Sequence, residues 1–116
     1  MRDNELVVKG AEDELDFTYV DDVAKGIALA VTNENTNNVI YNITKSQSRS
    51  LLEAAELVIK IVGKGTIRIE NRDDNFPTRG QLDISKAKQD FGYDPTVSIE
   101  EGFSKYYDWL KKVNYE

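Results

Sequence analysis

The sequence contains neither cysteine nor histidine. Without cysteine the chain can form no disulfide framework and has no thiol nucleophile. Without histidine it lacks the side chain that most often acts as a base near neutral pH and as a metal ligand. Any chemistry of its own side chains must therefore come from carboxylates, hydroxyls, lysine and arginine.

Positive charge is also scarce. The 116 residues include 15 lysines and arginines against 21 acidic residues, which gives a formal net charge of −6. This acidic balance argues against a general role in binding nucleic acid or a membrane surface. No apolar run approaches the length of a signal peptide or a membrane span, so we expect a cytoplasmic location.

Four acidic residues fall within residues 12–16, where a calcium loop is conceivable. The segment lacks the spaced Asp/Asn, Gly and Glu order of an EF-hand. A solvated turn is therefore favoured over a metal site, and we predict no metal ligands in the chain.

Length and periodicity predict one α/β domain, or a part of one, over residues 1–116. Apolar residues make up 40% of the chain, as in an ordinary globular protein. Periods of 2 and 3.6 residues predict about four helices and three or four short strands. Strands are expected at residues 6–8, 17–20, 38–44 and 66–70, and helices at residues 22–32, 50–62, 83–91 and 98–113.

Capping residues support several of these boundaries. Candidate caps at helix starts are Ser50 with Glu53, Asp83, and Ser98 with Glu101. Gly63 and Gly92 are natural helix stops, since glycine adopts the left-handed conformation without strain.

The corner between the second strand and the first helix organises the chain. Aromatic and β-branched residues favour an extended segment at 17–20, and Asp21 or Asp22 can cap the helix that follows. Five apolar residues at helical spacing lie on one face of this helix: Val23, Ala24, Ile27, Ala28 and Val31.

Two further packing expectations concern strands. The mostly apolar run at 38–44 is typical of a strand buried on both faces, as in a parallel sheet. In strand 66–70, Ile67 and Ile69 alternate with polar residues and are expected to point inward. In the last helix, Tyr106 is expected on the core side, and Tyr106, Tyr107 and Trp109 are expected to pack and not to stack on bases.

The corner also opens an ordered series of motifs. Residues 16–24 read DFTYVDDVA and residues 39–43 read VIYNI. Arg72 stands five residues before Pro77. The remaining motifs are DISKA at 83–87, FGYDP at 91–95 and SIEEG at 98–102. In this order they resemble the C-terminal part of the extended short-chain dehydrogenase/reductases, the NAD-dependent sugar epimerase/dehydratase family, over nearly the whole chain.

The resemblance implies a C-terminal fragment of an extended Rossmann-type epimerase whose N-terminal NAD-binding portion is absent. The sequence has no Gly-x-x-Gly-x-x-Gly that opens a helix. Tyr41 and Lys45 have Tyr-x-x-x-Lys spacing, but they span a predicted strand and loop instead of one helical turn, so we do not assign them as a catalytic pair. We name no catalytic and no cofactor-binding residue here, and NAD or NADP would belong to the parent enzyme.

Members of the family bind a nucleotide diphosphate, and Arg72 matches a loop arginine that commonly contacts it. A planar guanidinium can donate two hydrogen bonds to phosphate oxygens. Arg79 and Arg49 are further candidates, although ordinary surface charge is the favoured interpretation of Arg49. Many family members also carry arginine before Asp-Phe, where this chain has Leu15. The phosphate contact therefore rests either on Arg72 alone or on Arg72 with Arg79.

Two functions of different kinds follow. The first is the substrate-binding C-terminal part of an NAD(P)-dependent nucleotide-sugar epimerase or dehydratase, a family that moves a hydride from a sugar carbon to NAD and back. The alternative is a stand-alone binding or assembly module without turnover. The sequence leaves open whether this chain is itself an enzyme. Expected partners are a nucleotide-sugar and a second copy of the chain, because apolar surfaces at 38–44 and 50–62 would otherwise lack cover.

Overall fold

A computed structural model describes residues 4–115. In chain order the elements are β1 (Glu5–Lys9), β2 (Glu14–Asp16), α1 (Val20–Thr32), β3 (Ser48–Ser50), α2 (Leu51–Val62), β4 (Thr66–Glu70), α3 (Ser85–Phe91) and α4 (Ile99–Lys112). Within residues 4–115, four helices and four short strands confirm the predicted α/β class.

The strands form two separate two-stranded sheets. β1 and β4 are parallel, with Leu6 opposite Ile67, whereas β2 and β3 are antiparallel, with Leu15 opposite Arg49. Helix α2 follows β3 without a break and contacts α4, β1 and β4, so it joins the two sheets to the end of the chain.

Local capping chemistry sets the ends of α2 as predicted. The Ser50 hydroxyl accepts a hydrogen bond from the backbone N–H of Glu53, and the Glu53 carboxylate accepts one from the backbone N–H of Ser50. Gly63 ends the helix in the left-handed conformation, with φ of 81°. This reciprocal pair satisfies two amides that would otherwise lack partners at the helix start.

Helix α3 carries the main buried cluster. Ile84, Ala87, Phe91 and Tyr93 are buried together, and the half-buried Tyr41, Ile43 and Ala30 pack against them. Asp83 accepts a hydrogen bond from the backbone N–H of Ser85 at 2.8 Å, which lowers the pKa of its carboxyl group. The predicted inner face of this helix is confirmed.

The predicted strand at residues 17–20 is wrong. Strand β2 ends at Asp16, and α1 already begins at Val20. Pairing explains the difference, because β3 offers partners only for Glu14, Leu15 and Asp16. Aromatic and β-branched residues favour extended backbone but cannot form a strand without a neighbour.

The prediction that Asp21 or Asp22 caps α1 is also wrong. The N-cap is Tyr19, which makes no side-chain capping bond. Asp22 lies in the first turn and is only 1% exposed. Its carboxylate accepts hydrogen bonds from the backbone N–H groups of Val97 at 2.9 Å and Thr96 at 3.2 Å. Asp22 therefore ties α1 to the segment that leads into α4.

Helix α1 buries the face opposite most of its apolar residues. Its buried residues are Asp22 and Gly26, and a Cβ on Gly26 would lie 2.5 Å from Cγ2 of Ile43. The exposed side carries Val20, Ala24, Ile27, Ala28 and Val31, which we call the α1 stripe. The helical spacing is confirmed, Val23 at the edge of the predicted face is half-buried, and among the described residues the α1 stripe faces away from the core.

Two strand expectations also need correction. No strand forms at 38–44 within the described part of the chain, and Ile40 is 88% exposed while Val39, Tyr41 and Ile43 are half-buried. The reason is again the lack of a pairing neighbour for this run. Strand β4 is confirmed, but Ile69 is exposed whereas Ile67 is half-buried.

We expect Asp22→Ala to destabilise the fold by about 2–3 kcal/mol, because it leaves two backbone N–H groups without acceptors in a buried place. Asp22→Asn retains one oxygen acceptor, so it should lower the stability of the fold by less. Urea denaturation measures both, with the exposed neighbour variant Asp21→Ala as the control. Equal stabilities for Asp22→Ala and Asp21→Ala would contradict this role.

The buried Tyr93 hydroxyl gives a second prediction. It has no hydrogen-bond partner within residues 4–115, and burial, followed by the charges of Asp22 and Asp16, raises its pKa from 10.0 to about 12. The folded and unfolded states are both protonated below pH 10. Between pH 10 and 12 only the unfolded chain loses this proton, so stability should fall by about 2–3 kcal/mol over that range.

Tyr93→Phe should be as stable as the wild type or more stable at pH 7, because it removes a buried hydroxyl without removing a hydrogen bond. Its stability should also fall less steeply above pH 10. Thermal unfolding from pH 7 to 12 tests this, with the exposed Tyr115→Phe as the control. A Tyr93→Phe variant that is less stable at pH 7 and equally sensitive to alkali would refute the assignment.

Candidate functional site

The parallel pair β1–β4 brings two loops together at its carboxyl end. The register ends with Lys9 opposite Glu70, and the backbone N–H of Gly10 donates to the carbonyl of Glu70 at 3.2 Å. Beyond this point β1 enters a turn at residues 10–13 and β4 enters a loop at residues 71–84. Ligands of open α/β sheets bind beyond the carboxyl ends of parallel strands.

Arg72 lies at the start of this second loop and organises it. Its Nε donates to Oδ2 of Asp13 at 3.0 Å. Its Nη2 donates to the carbonyl of Phe76 and to the hydroxyl of Thr78, the latter at 3.3 Å. The guanidinium therefore holds the loop at 72–78 to the turn that follows β1.

Arg79 is brought to the same loop through Phe76. The Arg79 guanidinium lies over the Phe76 ring, 5.5 Å from its centroid. Cation–π contacts of this length hold a guanidinium without consuming its hydrogen-bond donors. Arg79 thus contacts the exposed ring of Phe76, and Arg72 contacts the backbone carbonyl of the same residue.

Arg49 lies in a different environment. It is in β3, opposite Leu15, and its Nη2 donates to Oε1 of Glu100 in the first turn of α4 at 2.8 Å. The pKa of the Glu100 carboxyl group is lowered by a hydrogen bond from the backbone N–H of Glu100 itself and by the Arg49 guanidinium. The three predicted site arginines are therefore split, with Arg72 and Arg79 together and Arg49 paired to α4.

Asp13 and Asp16 have roles that the sequence reasoning missed. Asp16 accepts hydrogen bonds from the Thr44 hydroxyl at 2.9 Å and from the backbone N–H of Leu82 at 3.0 Å. It also accepts a longer one, 3.4 Å, from the backbone N–H of Gln47. The prediction of a solvated turn at 12–16 did not include these links, in which the two carboxylates join segments distant in sequence.

Tyr41 and Lys45 have separate partners. The Tyr41 hydroxyl donates to Asp90 at 2.5 Å, which raises its pKa to about 12, and Nζ of Lys45 donates to the carbonyl of Pro95 at 2.8 Å. A tyrosine with a raised pKa is a poor acid–base group near neutral pH. Tyr41 and Lys45 are therefore each held by a different partner.

An open pocket of about 610 Å³ lies between the segment at 17–21 and α4. Its lining includes Phe17, Tyr19, Phe103, Tyr106 and Trp109. Tyr106 and Trp109 stack with centroids 6.0 Å apart and are both more than half exposed. The expectation that Tyr106 lies on the core side of α4 is therefore wrong, while Tyr106 and Trp109 do pack on each other.

The described residues do not fit a dinucleotide cofactor. Such a cofactor needs a glycine-rich turn between a strand and a helix whose first amides face the pyrophosphate. Here β1 leads to β2, and β4 leads into the loop at 71–84. Within residues 4–115 no group of three or more acidic residues is arranged to hold a metal ion, and no helix is long and apolar enough to cross a membrane.

A scan against protein-family models finds no match. Over 116 residues the chain is 33% identical to UDP-glucuronic acid decarboxylase 1 of Xenopus tropicalis, covering 97% of this chain and 27% of that protein. It is 31% identical over 99 residues to an uncharacterised UDP-glucose epimerase of Bacillus subtilis, covering 84% of this chain and 31% of that protein. The chain thus spans less than a third of the length of these curated relatives.

Solved structures show the same relationship in three dimensions. UDP-glucuronic acid 4-epimerase from Bacillus cereus, in complex with UDP-glucuronic acid and NAD, matches with a TM-score of 0.84 and 31% identity, over 94% of this chain and 36% of that one. UDP-glucose 4-epimerase from Bifidobacterium longum, in complex with NAD+ and UDP, shares the fold with a TM-score of 0.81 over 93% of this chain and 35% of that one, at 23% identity. By sequence and by fold, the chain belongs to the NAD-dependent epimerase/dehydratase family.

Proposed function

We propose that this chain is the substrate-binding C-terminal part of an NAD(P)-dependent nucleotide-sugar epimerase or dehydratase. In this proposal it holds the nucleotide diphosphate, and the NAD-binding and catalytic groups lie in the part of the family fold that the 116 residues do not span. A cytoplasmic location remains our prediction for the whole protein.

The observation that carries the proposal is the pair of arginines around Phe76. Arg72, just beyond the carboxyl end of the parallel pair where open α/β sheets bind ligands, contacts the Phe76 carbonyl, and Arg79 lies over the Phe76 ring. Asp73 and Asp74 balance the two arginines in net charge along this loop, so the attraction for an anion rests on the guanidinium donors themselves. A diphosphate suits them, because each guanidinium can donate to oxygens of a different phosphate.

Arg49 is the third candidate in this proposal. The β2–β3 register places it opposite Leu15, the position at which many family members carry arginine. Directly opposed residues in an antiparallel pair project from the same face of the sheet. Arg49 can therefore bring a guanidinium to the face from which a side chain at position 15 projects.

The shape of the chain supports a role as part of a larger unit. Its radius of gyration is 16.7 Å, compared with about 13 Å expected for a self-contained domain of this length. Its shortest dimension is only 18 Å. So thin a body leaves apolar groups uncovered, among them the α1 stripe and Ile40. A second body on these surfaces, such as the cofactor-binding part of the family fold, would complete the core.

UDP should bind to this chain in preference to NAD, although both contain a diphosphate. Arg72→Gln should weaken UDP binding by about 1.5–3 kcal/mol, since a charge-assisted hydrogen bond to phosphate is lost. Calorimetric titration of the wild type and the variant measures this. Arg68→Gln is the matched control, because Arg68 lies in β4 and pairs with Glu5 and Glu70.

Two results would oppose the proposal. One is equal UDP affinity in Arg72→Gln and Arg68→Gln with both variants folded. The other is NAD binding as tight as UDP binding, which would place cofactor recognition in a chain without the glycine-rich turn.

On its own the chain should self-associate at micromolar concentration through its uncovered apolar surfaces. Like charges oppose association, but physiological salt screens them beyond about 8 Å. Ile27→Glu, which places a charge in the middle of the α1 stripe, should shift the chain toward monomer. Thr32→Glu, an exposed polar position at the end of α1, should behave like the wild type.

Sedimentation velocity over a concentration series distinguishes these species. A wild-type chain that remains a 13.2 kDa monomer at every concentration would contradict association through these apolar surfaces.

A further inference from the structure

The Arg72 guanidinium has little free hydrogen-bonding capacity on the side that would grip a phosphate. Arginine has five N–H donors, of which one on Nε and two on Nη2 are used by Asp13, Phe76 and Thr78. Two-pronged binding uses donors on neighbouring nitrogens, either Nε with Nη2 or Nη1 with Nη2. Both arrangements include Nη2, so a phosphate needs at least one of the present acceptors to leave.

Asp13 is the acceptor that most resembles a phosphate oxygen, and the backbone fixes its position. Its N–H donates to the carbonyl of Gly10 at 2.9 Å, and its carbonyl accepts from the N–H of Leu51 at 2.8 Å. Gly10 has a φ of +75°, and a Cβ there would lie 2.5 Å from Oδ2 of Asp13. The turn therefore depends on glycine to bring this carboxylate against Arg72.

Accessibility supports an exchange. The Asp13 side chain is 18% exposed and the Arg72 side chain is 37% exposed, so the pair lies at the surface of the site and can be reached by a ligand. The Arg72 side chain is more than one third exposed, so solvent screens its attraction to Asp13 and lowers the cost of opening the pair.

We propose that Asp13 is a positioning residue that holds the Nε side of Arg72 in the ligand-free chain and competes with a phosphate group for it. This inference rests on the proposed function, since it concerns the same diphosphate site. The carboxylate keeps the guanidinium and the loop at 72–78 ordered, and a diphosphate takes its place on binding. Asp13 thereby lowers the affinity for single anions and favours ligands that can also reach Arg79.

The test compares Asp13→Asn with Glu12→Gln, which removes the same charge from the adjacent exposed residue that has no contact with Arg72 in the structure. The probe is inorganic pyrophosphate, followed by calorimetry. Asp13→Asn should bind pyrophosphate about fivefold more tightly than the wild type, whereas Glu12→Gln should differ from it by less than about twofold. Equal affinities of the two variants would overturn the inference.

A spectroscopic readout separates competition from a purely structural role. In the wild type, saturation with pyrophosphate should shift the carboxyl carbon resonance of Asp13 together with the Nε–H resonance of Arg72. Unmoved Asp13 resonances at saturation would overturn the inference, and this measurement needs no variant that must fold.

Arg72→Gln separates this inference from the proposed function. If Arg72→Gln abolishes pyrophosphate binding but Asp13→Asn does not strengthen it, the competition fails and the phosphate site stands. If Arg72→Gln binds as well as the wild type, or if no form of the chain binds pyrophosphate at millimolar concentration, both proposals fail.

Discussion

A buried carboxylate joins the first helix to the segment that precedes the last helix. Asp22 lies in the first turn of α1, is almost fully removed from water and accepts hydrogen bonds from the amides of Thr96 and Val97. Burying a charged group is costly unless hydrogen bonds compensate for lost hydration. Its position therefore fixes where the chain must pass before α4, and the pocket beside α4 follows from that path.

Two other acidic residues also join separate segments of the chain. Asp16 joins the end of β2 to Thr44 and to Leu82, just before α3, and Asp13 joins the turn after β1 to Arg72. In each case a carboxylate links segments that are far apart in sequence, in a chain with a thin apolar core. The acidic composition, which first suggested only what the protein does not bind, also supplies these internal links.

The sequence predicted what depends on local chemistry. The capping pair Ser50 and Glu53, the stop at Gly63 and the inner face of α3 follow from interactions within a few residues, and all are confirmed. The strand at 38–44 was wrong because strand formation depends on a partner, and sequence alone cannot say whether one is present. Periodicity likewise identified the apolar face of α1, but it cannot say which body covers that face.

The site was predictable only in part. The ordered motifs singled out Arg72, with Arg79 as a weaker candidate, and the structure places Arg72 on the Phe76 carbonyl and Arg79 over the Phe76 ring. The ion pairs of Arg72 with Asp13 and of Arg49 with Glu100 span 59 and 51 residues, and no short-range pattern marks such pairs. The most direct test of the central claim is to map, by backbone and arginine side-chain NMR, which resonances of the chain shift when UDP is added. A diphosphate site predicts shifts concentrated in the turn at 10–13 and the loop at 71–80, whereas shifts confined to the aromatic pocket around Trp109, with Arg72 unmoved, would contradict it.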